Sequence, residues 1–127
     1  MQFTEHELTL AVTGAAKAMA GARRRRANPD EVWETLSKLD RYHHLEAARG
    51  QVVPVLLALP DVTVHDGSRA TFSDAEVVAA VEEALGDTGR GWRRKATILT
   101  RAALVKAALT ELPLRQDPHR MIVPDSL

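Results

Sequence analysis

The segment from Arg90 to Leu112 constrains the fold of this chain more than any other, because its apolar residues recur every three or four positions along its length. This spacing is typical of an α-helix, in which such residues line one side. Two neighbouring rows make a broad apolar face, which predicts a central helix contacted by other elements on more than one side. The rows are Trp92, Ala96, Leu99 and Ala103, and Ile98, Ala102, Val105, Leu109 and Leu112.

The composition favours a single domain over residues 1–127. With 45% hydrophobic residues, the chain can bury a core without disulfide bonds or structural metals. Seventeen basic and seventeen acidic residues give a formal net charge of zero, so no global field attracts the protein to nucleic acid or to an anionic membrane. The absence of cysteine excludes thiolate catalysis and cysteine-ligated zinc. No window approaches the roughly 18 apolar residues of a membrane span, so we expect a soluble, cytoplasmic protein.

Three further helix starts are marked by capping residues. Glycines predict two of the corresponding helix ends, Gly50 for the second helix and Gly86 for the one that precedes the central helix. Small residues in the first helix would let another helix approach closely, within the domain or across a dimer. The capping pairs are Thr4 with Glu7, Asn28 with Pro29, and Ser73 with Glu76, and the small residues are Ala11, Gly14, Ala18 and Gly21.

Residues 51–59, QVVPVLLAL, are apolar on every side, which predicts a buried segment without deciding between strand and helix. Pro54 would remove a hydrogen bond from a central strand but is tolerated in the first turn of a helix, so a short buried helix is favoured.

Residues 62–72 carry the only strand signal. A loop over residues 65–67 would place four apolar side chains on one side of a small β-hairpin, an irregular loop being the alternative. These side chains are Val62, Val64, Ala70 and Phe72. Residues 113–127 contain three prolines and are predicted to form an extended tail, docked through Met121, Ile122 and Val123. The fold class is therefore mostly α, a bundle of four or five helices with one hairpin.

A basic cluster at the start of the central helix is the most anomalous local feature. Cations there oppose the helix macrodipole, at a cost of about 0.3 to 1 kcal/mol each, so a negative group is expected nearby. Acidic residues of the preceding helix and its connector, Glu82, Glu83 and Asp87, are one source of that charge. The other is an external phosphate, carboxylate or acidic partner. The cluster is Arg90, Arg93, Arg94 and Lys95, with Trp92 among them.

A second basic patch, Arg23, Arg24, Arg25 and Arg26, closes the first helix. Four adjacent arginines are compatible with phosphate binding. Cations at the C-terminus of a helix also complement its macrodipole, and this interpretation is favoured.

No motif of nucleophilic catalysis or of phosphate-loop nucleotide binding is present. Asp40 with His44, and His43 with Glu46, have helical spacing for two metal ligands each, which is too few for a site. We therefore predict no catalytic residue, cofactor or metal.

The sequence favours a non-catalytic protein-interaction module. Its partner would be an acidic or amphipathic protein, or a second copy in a homodimer, held by the two basic patches with Trp92 as the anchor. The alternatives are a nucleic-acid-binding regulatory protein and a small-ligand-binding protein or enzyme without a recognisable motif.

Overall fold

A computed structural model describes residues 1–22 and 28–115, and these residues form five helices without a β-strand. The predicted mostly α-helical bundle is confirmed. No described helix is both long enough and apolar enough to cross a membrane. The predicted tail contacts of Met121, Ile122 and Val123 lie outside the described residues. The helices are α1 (Glu5–Ala22), α2 (Pro29–Thr35), α3 (Lys38–Ala58), α4 (Asp74–Leu85) and α5 (Gly91–Thr110).

The predicted helix starts are confirmed by their capping hydrogen bonds. At α1, the Glu7 N–H donates to Thr4 Oγ1 at 3.1 Å, and the Thr4 N–H donates to Glu7 Oε1 at 2.9 Å. The same reciprocal pair joins Ser73 and Glu76 at α4. At α2, the Asn28 side chain accepts from the Asp30 N–H at 2.9 Å. These bonds satisfy backbone donors that have no partner within the helix.

The prediction of one helix from Pro29 to Gly50 is wrong. The helix breaks at Leu36, which has an extended backbone, and α3 begins after Ser37, whose hydroxyl accepts from the Asp40 N–H at 3.1 Å. The new helix then continues through Gly50 and includes the predicted helical segment 51–59 up to residue 58.

Pro54 lies inside α3, where its ring leaves the carbonyl of Gly50 without its helical donor. Both residues are exposed, so water can hydrate that carbonyl. The exposed position lowers the cost of the proline, because the carbonyl without a helical donor is not buried.

The core is formed where α1 packs on α2, α3 and α5, and where α3 and α5 pack on each other and on α4. Small residues let α1 and α5 approach closely. A Cβ added at Gly14 would collide with Glu111 Cγ and lie 3.1 Å from the Ala107 carbonyl oxygen of α5. The small surface predicted on α1 is thus used within the chain.

The predicted β-hairpin over residues 62–72 is wrong, although its alternation of buried and exposed side chains is correct. Its four apolar residues are buried or half-buried, and their neighbours are exposed. The Ser68 N–H donates to the His65 carbonyl at 3.0 Å, closing a turn in which Gly67 has a φ of 80°. Beyond this turn the arms do not pair. The Gly67 N–H donates to the Arg115 carbonyl, and the Arg115 N–H donates to the Ser68 carbonyl, both at 2.7 Å.

The helices explain this outcome. They already bury the apolar side of the segment, and an isolated two-stranded ladder adds little stability in water. Residues 60–73 therefore form an irregular loop that covers the core.

Candidate functional site

The basic cluster lies where the α4–α5 connector enters α5. Arg94 Nη1 donates to the Thr88 carbonyl at 2.8 Å and ties the connector to the first turn of α5. Gly89, with a φ of 77°, lets the chain turn between them. Arg90 is the N-cap of α5 and provides no side-chain hydrogen bond to it. Arg94 thus has a structural role, while Arg90, Arg93 and Lys95 extend into solvent.

The predicted broad buried face of α5 is only half correct. The row that begins at Ile98 packs into the protein, but the row that begins at Trp92 lies on the surface. Trp92 is 74% exposed and Leu99 is 68% exposed. We call this exposed row the outer stripe, and it consists of Trp92, Ala96, Leu99 and Ala103.

The charges around Trp92 are not balanced by the acids that the sequence suggested. The Arg93 guanidinium carbon lies 5.4 Å from the centre of the Trp92 ring, in cation–π geometry. Asp87 lines the same shallow depression as Arg90 and Arg94. Within residues 1–22 and 28–115, however, no carboxylate lies within 4.0 Å of a charged nitrogen of the basic cluster. Internal neutralisation by Glu82, Glu83 or Asp87 is therefore not observed in this part of the chain.

No known family model, curated protein or solved structure matches this chain significantly.

The second predicted patch, Arg23 to Arg26, lies outside the described residues.

The structure adds no third metal ligand, among the described residues, to the pair Asp40 and His44 or to the pair His43 and Glu46. No group of three His, Asp or Glu side chains there could hold a metal ion.

One buried ionic contact was not predicted from the sequence. Glu7 is 4% exposed and accepts hydrogen bonds from Arg115 Nε at 2.9 Å and from Arg115 Nη2 at 3.0 Å. Burial by itself would raise the pKa of Glu7, but hydrogen bonds from Arg115 and Thr4 outweigh it and lower the pKa below the ordinary value of 4.5. The capping box signals the position of Glu7 in the helix, but nothing in the sequence links it to a residue 108 positions away.

Proposed function

We propose that this protein is a non-catalytic interaction module that docks an acidic protein partner at the first turns of α5. The exposure of Trp92 carries the proposal. An indole left in water forgoes on the order of 2 kcal/mol of burial free energy, so a large exposed aromatic favours a surface that a partner covers.

The surroundings of Trp92 support a partner of negative charge. Tryptophan and arginine are the residues most enriched where binding energy is concentrated in protein interfaces. Here Arg93 lies against the ring, and Arg90 and Lys95 are exposed nearby without an ion pair to any described residue. Carboxylates of a partner would interact with these cations and orient its approach.

The test is recovery of a partner from the cell that makes this protein, using tagged wild type and a Trp92→Ala/Arg93→Ala double variant. Arg94 is left unchanged because it holds the connector. We expect a partner that wild type retains and the double variant loses. A Lys38→Ala/Leu39→Ala variant, which changes an exposed cation and an exposed apolar residue on α3, provides the matched control.

Circular dichroism and thermal unfolding would establish that all three proteins are folded. Equal recovery of the same partners by wild type and the double variant would overturn the proposal.

A further inference from the structure

We infer that the occupant of the outer stripe is an acidic amphipathic helix of a partner protein. This inference rests on the proposed function and specifies the partner's chemistry. It uses the whole stripe, of which Trp92 is only the first member.

The stripe has the dimensions of a helix-docking seam. Its members are spaced by four, three and four residues, so they lie along one side of α5. From Trp92 to Ala103 the stripe spans about 16 Å, roughly three helical turns. The large side chains Trp92 and Leu99 are separated from each other by the small Ala96, which leaves room between them for apolar side chains of a second helix.

Basic residues flank the stripe on both sides. At about 100° per residue, Arg93 lies about 100° to one side of Trp92, and Lys95 lies about 60° to the other. These are the flanks on which paired helices carry complementary charges. All charged residues of α5 are basic: Arg93, Arg94, Lys95, Arg101 and Lys106.

This charge pattern favours a partner helix of negative charge. Two copies of α5 packed against each other about a twofold axis would bring like charges together, which disfavours that pairing. An acidic helix would instead meet opposite charges on both flanks.

The same charge pattern predicts where along α5 the acidic residues of the partner helix should lie. Toward the C-terminal end of α5, Lys106 already forms an ion pair with Asp74 of α4 at 2.8 Å. Arg93 and Lys95 have no such pair among the described residues. The acids of the partner helix should therefore be concentrated opposite the first two turns of α5.

Three synthetic peptides of about 20 residues test the inference. The first has leucine at the a and d positions of each heptad and glutamate at e and g. The second replaces each glutamate by lysine. The third has the composition of the first in a scrambled order that leaves no apolar face.

Binding is measured by titration calorimetry and by tryptophan fluorescence, which reports on Trp92 because Trp33 is buried. We expect the first peptide to bind with a blue shift in emission and the lysine peptide not to bind. Leu99→Asp should weaken binding about thirtyfold or more, the loss typical of an interface hot spot. Leu39→Asp, which alters an equally exposed leucine on α3, should bind as wild type does.

Exchanging the charges gives a second, independent readout. Arg93→Glu/Lys95→Glu should lose the glutamate peptide and gain the lysine peptide. Lys38→Glu/Arg49→Glu changes the net charge by the same amount on α3 and should preserve the wild-type preference.

The outcomes separate this inference from the proposed function. If the scrambled acidic peptide binds as tightly as the first, and binding requires Trp92 but not Leu99, the helix inference is overturned and acidic docking stands. If neither acidic peptide binds, both are overturned. If sedimentation shows a wild-type dimer that Leu99→Asp abolishes, the occupant is a second copy and the inference is wrong.

Discussion

Trp33 and Trp92, the two tryptophans of the chain, lie in opposite environments. Trp33 of α2 is 7% exposed, and Arg41 donates through Nε to its carbonyl oxygen at 3.0 Å while lying 5.8 Å from the ring centre. Trp92 has a comparable arginine contact but remains in solvent. The cation–π contact alone therefore does not distinguish a structural tryptophan from an interface one, whereas burial does.

This contrast predicts different effects of truncation on stability. Trp33→Ala should lower the free energy of unfolding by about 3–5 kcal/mol, because it removes a buried aromatic side chain and leaves a cavity. Trp92→Ala should change it by less than about 0.5 kcal/mol, the usual range for surface substitutions. Urea unfolding of the two variants provides the measurement, and equal losses would contradict the assigned environments.

Two helical glycines offer a second comparison at this scale. Gly14→Ala should destabilise the protein by about 1–3 kcal/mol, because the new methyl group would collide with Glu111 and crowd the Ala107 carbonyl. Gly50→Ala has no atom within 4 Å of the added Cβ and should stabilise α3 by about 0.5–1 kcal/mol. Thermal unfolding would check both signs, and a stabilising Gly14→Ala would contradict the close α1–α5 contact.

At the scale of elements, capping pairs correctly placed the starts of α1, α2 and α4, although the start of α3 after Ser37 was not predicted. A cap involves residues within four positions of each other, as for Ser73 and Glu76, so its hydrogen bonds are implied by the sequence. Gly50 was predicted to end a helix that in fact continues. Its continuation depends on burial of Val52, Val55 and Leu56 against other helices, which the local signal does not contain.

Pro54, which lies inside α3, should lower the stability of the protein. Pro54→Ala should raise the free energy of unfolding by on the order of 1–3 kcal/mol, because it restores a donor to the Gly50 carbonyl and removes no buried contact. Pro29→Ala is the control, since a proline at the start of α2 has no helical donor to restore. Urea unfolding compares them, and a larger gain from Pro29→Ala would refute this account of α3.

At the scale of the whole molecule, Arg115 joins parts of the chain that are far apart in sequence. Its side chain bonds Glu7 and the Gln2 carbonyl, and its backbone pairs with Gly67 and Ser68. The start of α1, the loop and the segment after α5 therefore meet at one residue. The backbone of Arg115 thus gives the loop two hydrogen bonds, one to the Gly67 N–H and one to the Ser68 carbonyl.

The contact between Glu7 and Arg115 should weaken in acid. The folded-state pKa of Glu7 is lowered, so its carboxylate stabilises the fold above the ordinary pKa of 4.5, and this contribution is lost as pH falls through the lower folded-state pKa. Glu7→Gln should cost about 1–3 kcal/mol at neutral pH. The difference from wild type should shrink in acid.

Urea unfolding at neutral pH and at about pH 3 measures this difference. Glu34→Gln is the control, because it removes an exposed carboxylate 3.8 Å from Arg41 and should cost little at either pH. An equal loss from Glu7→Gln at both pH values would be evidence against a charged Glu7 in the fold.

The sequence by itself determined the helical class, the three capped helix starts and the alternation of residues 62–72, because each follows from residues that are close together in the chain. The tertiary structure decided which row of α5 is buried, that α3 continues through Gly50, and that Glu7 pairs with Arg115. Both rows of α5 have the same helical period, so periodicity could not choose between them. The choice depends on where α1, α3 and α4 pack, and it leaves Trp92 and Leu99 in solvent beside the basic cluster.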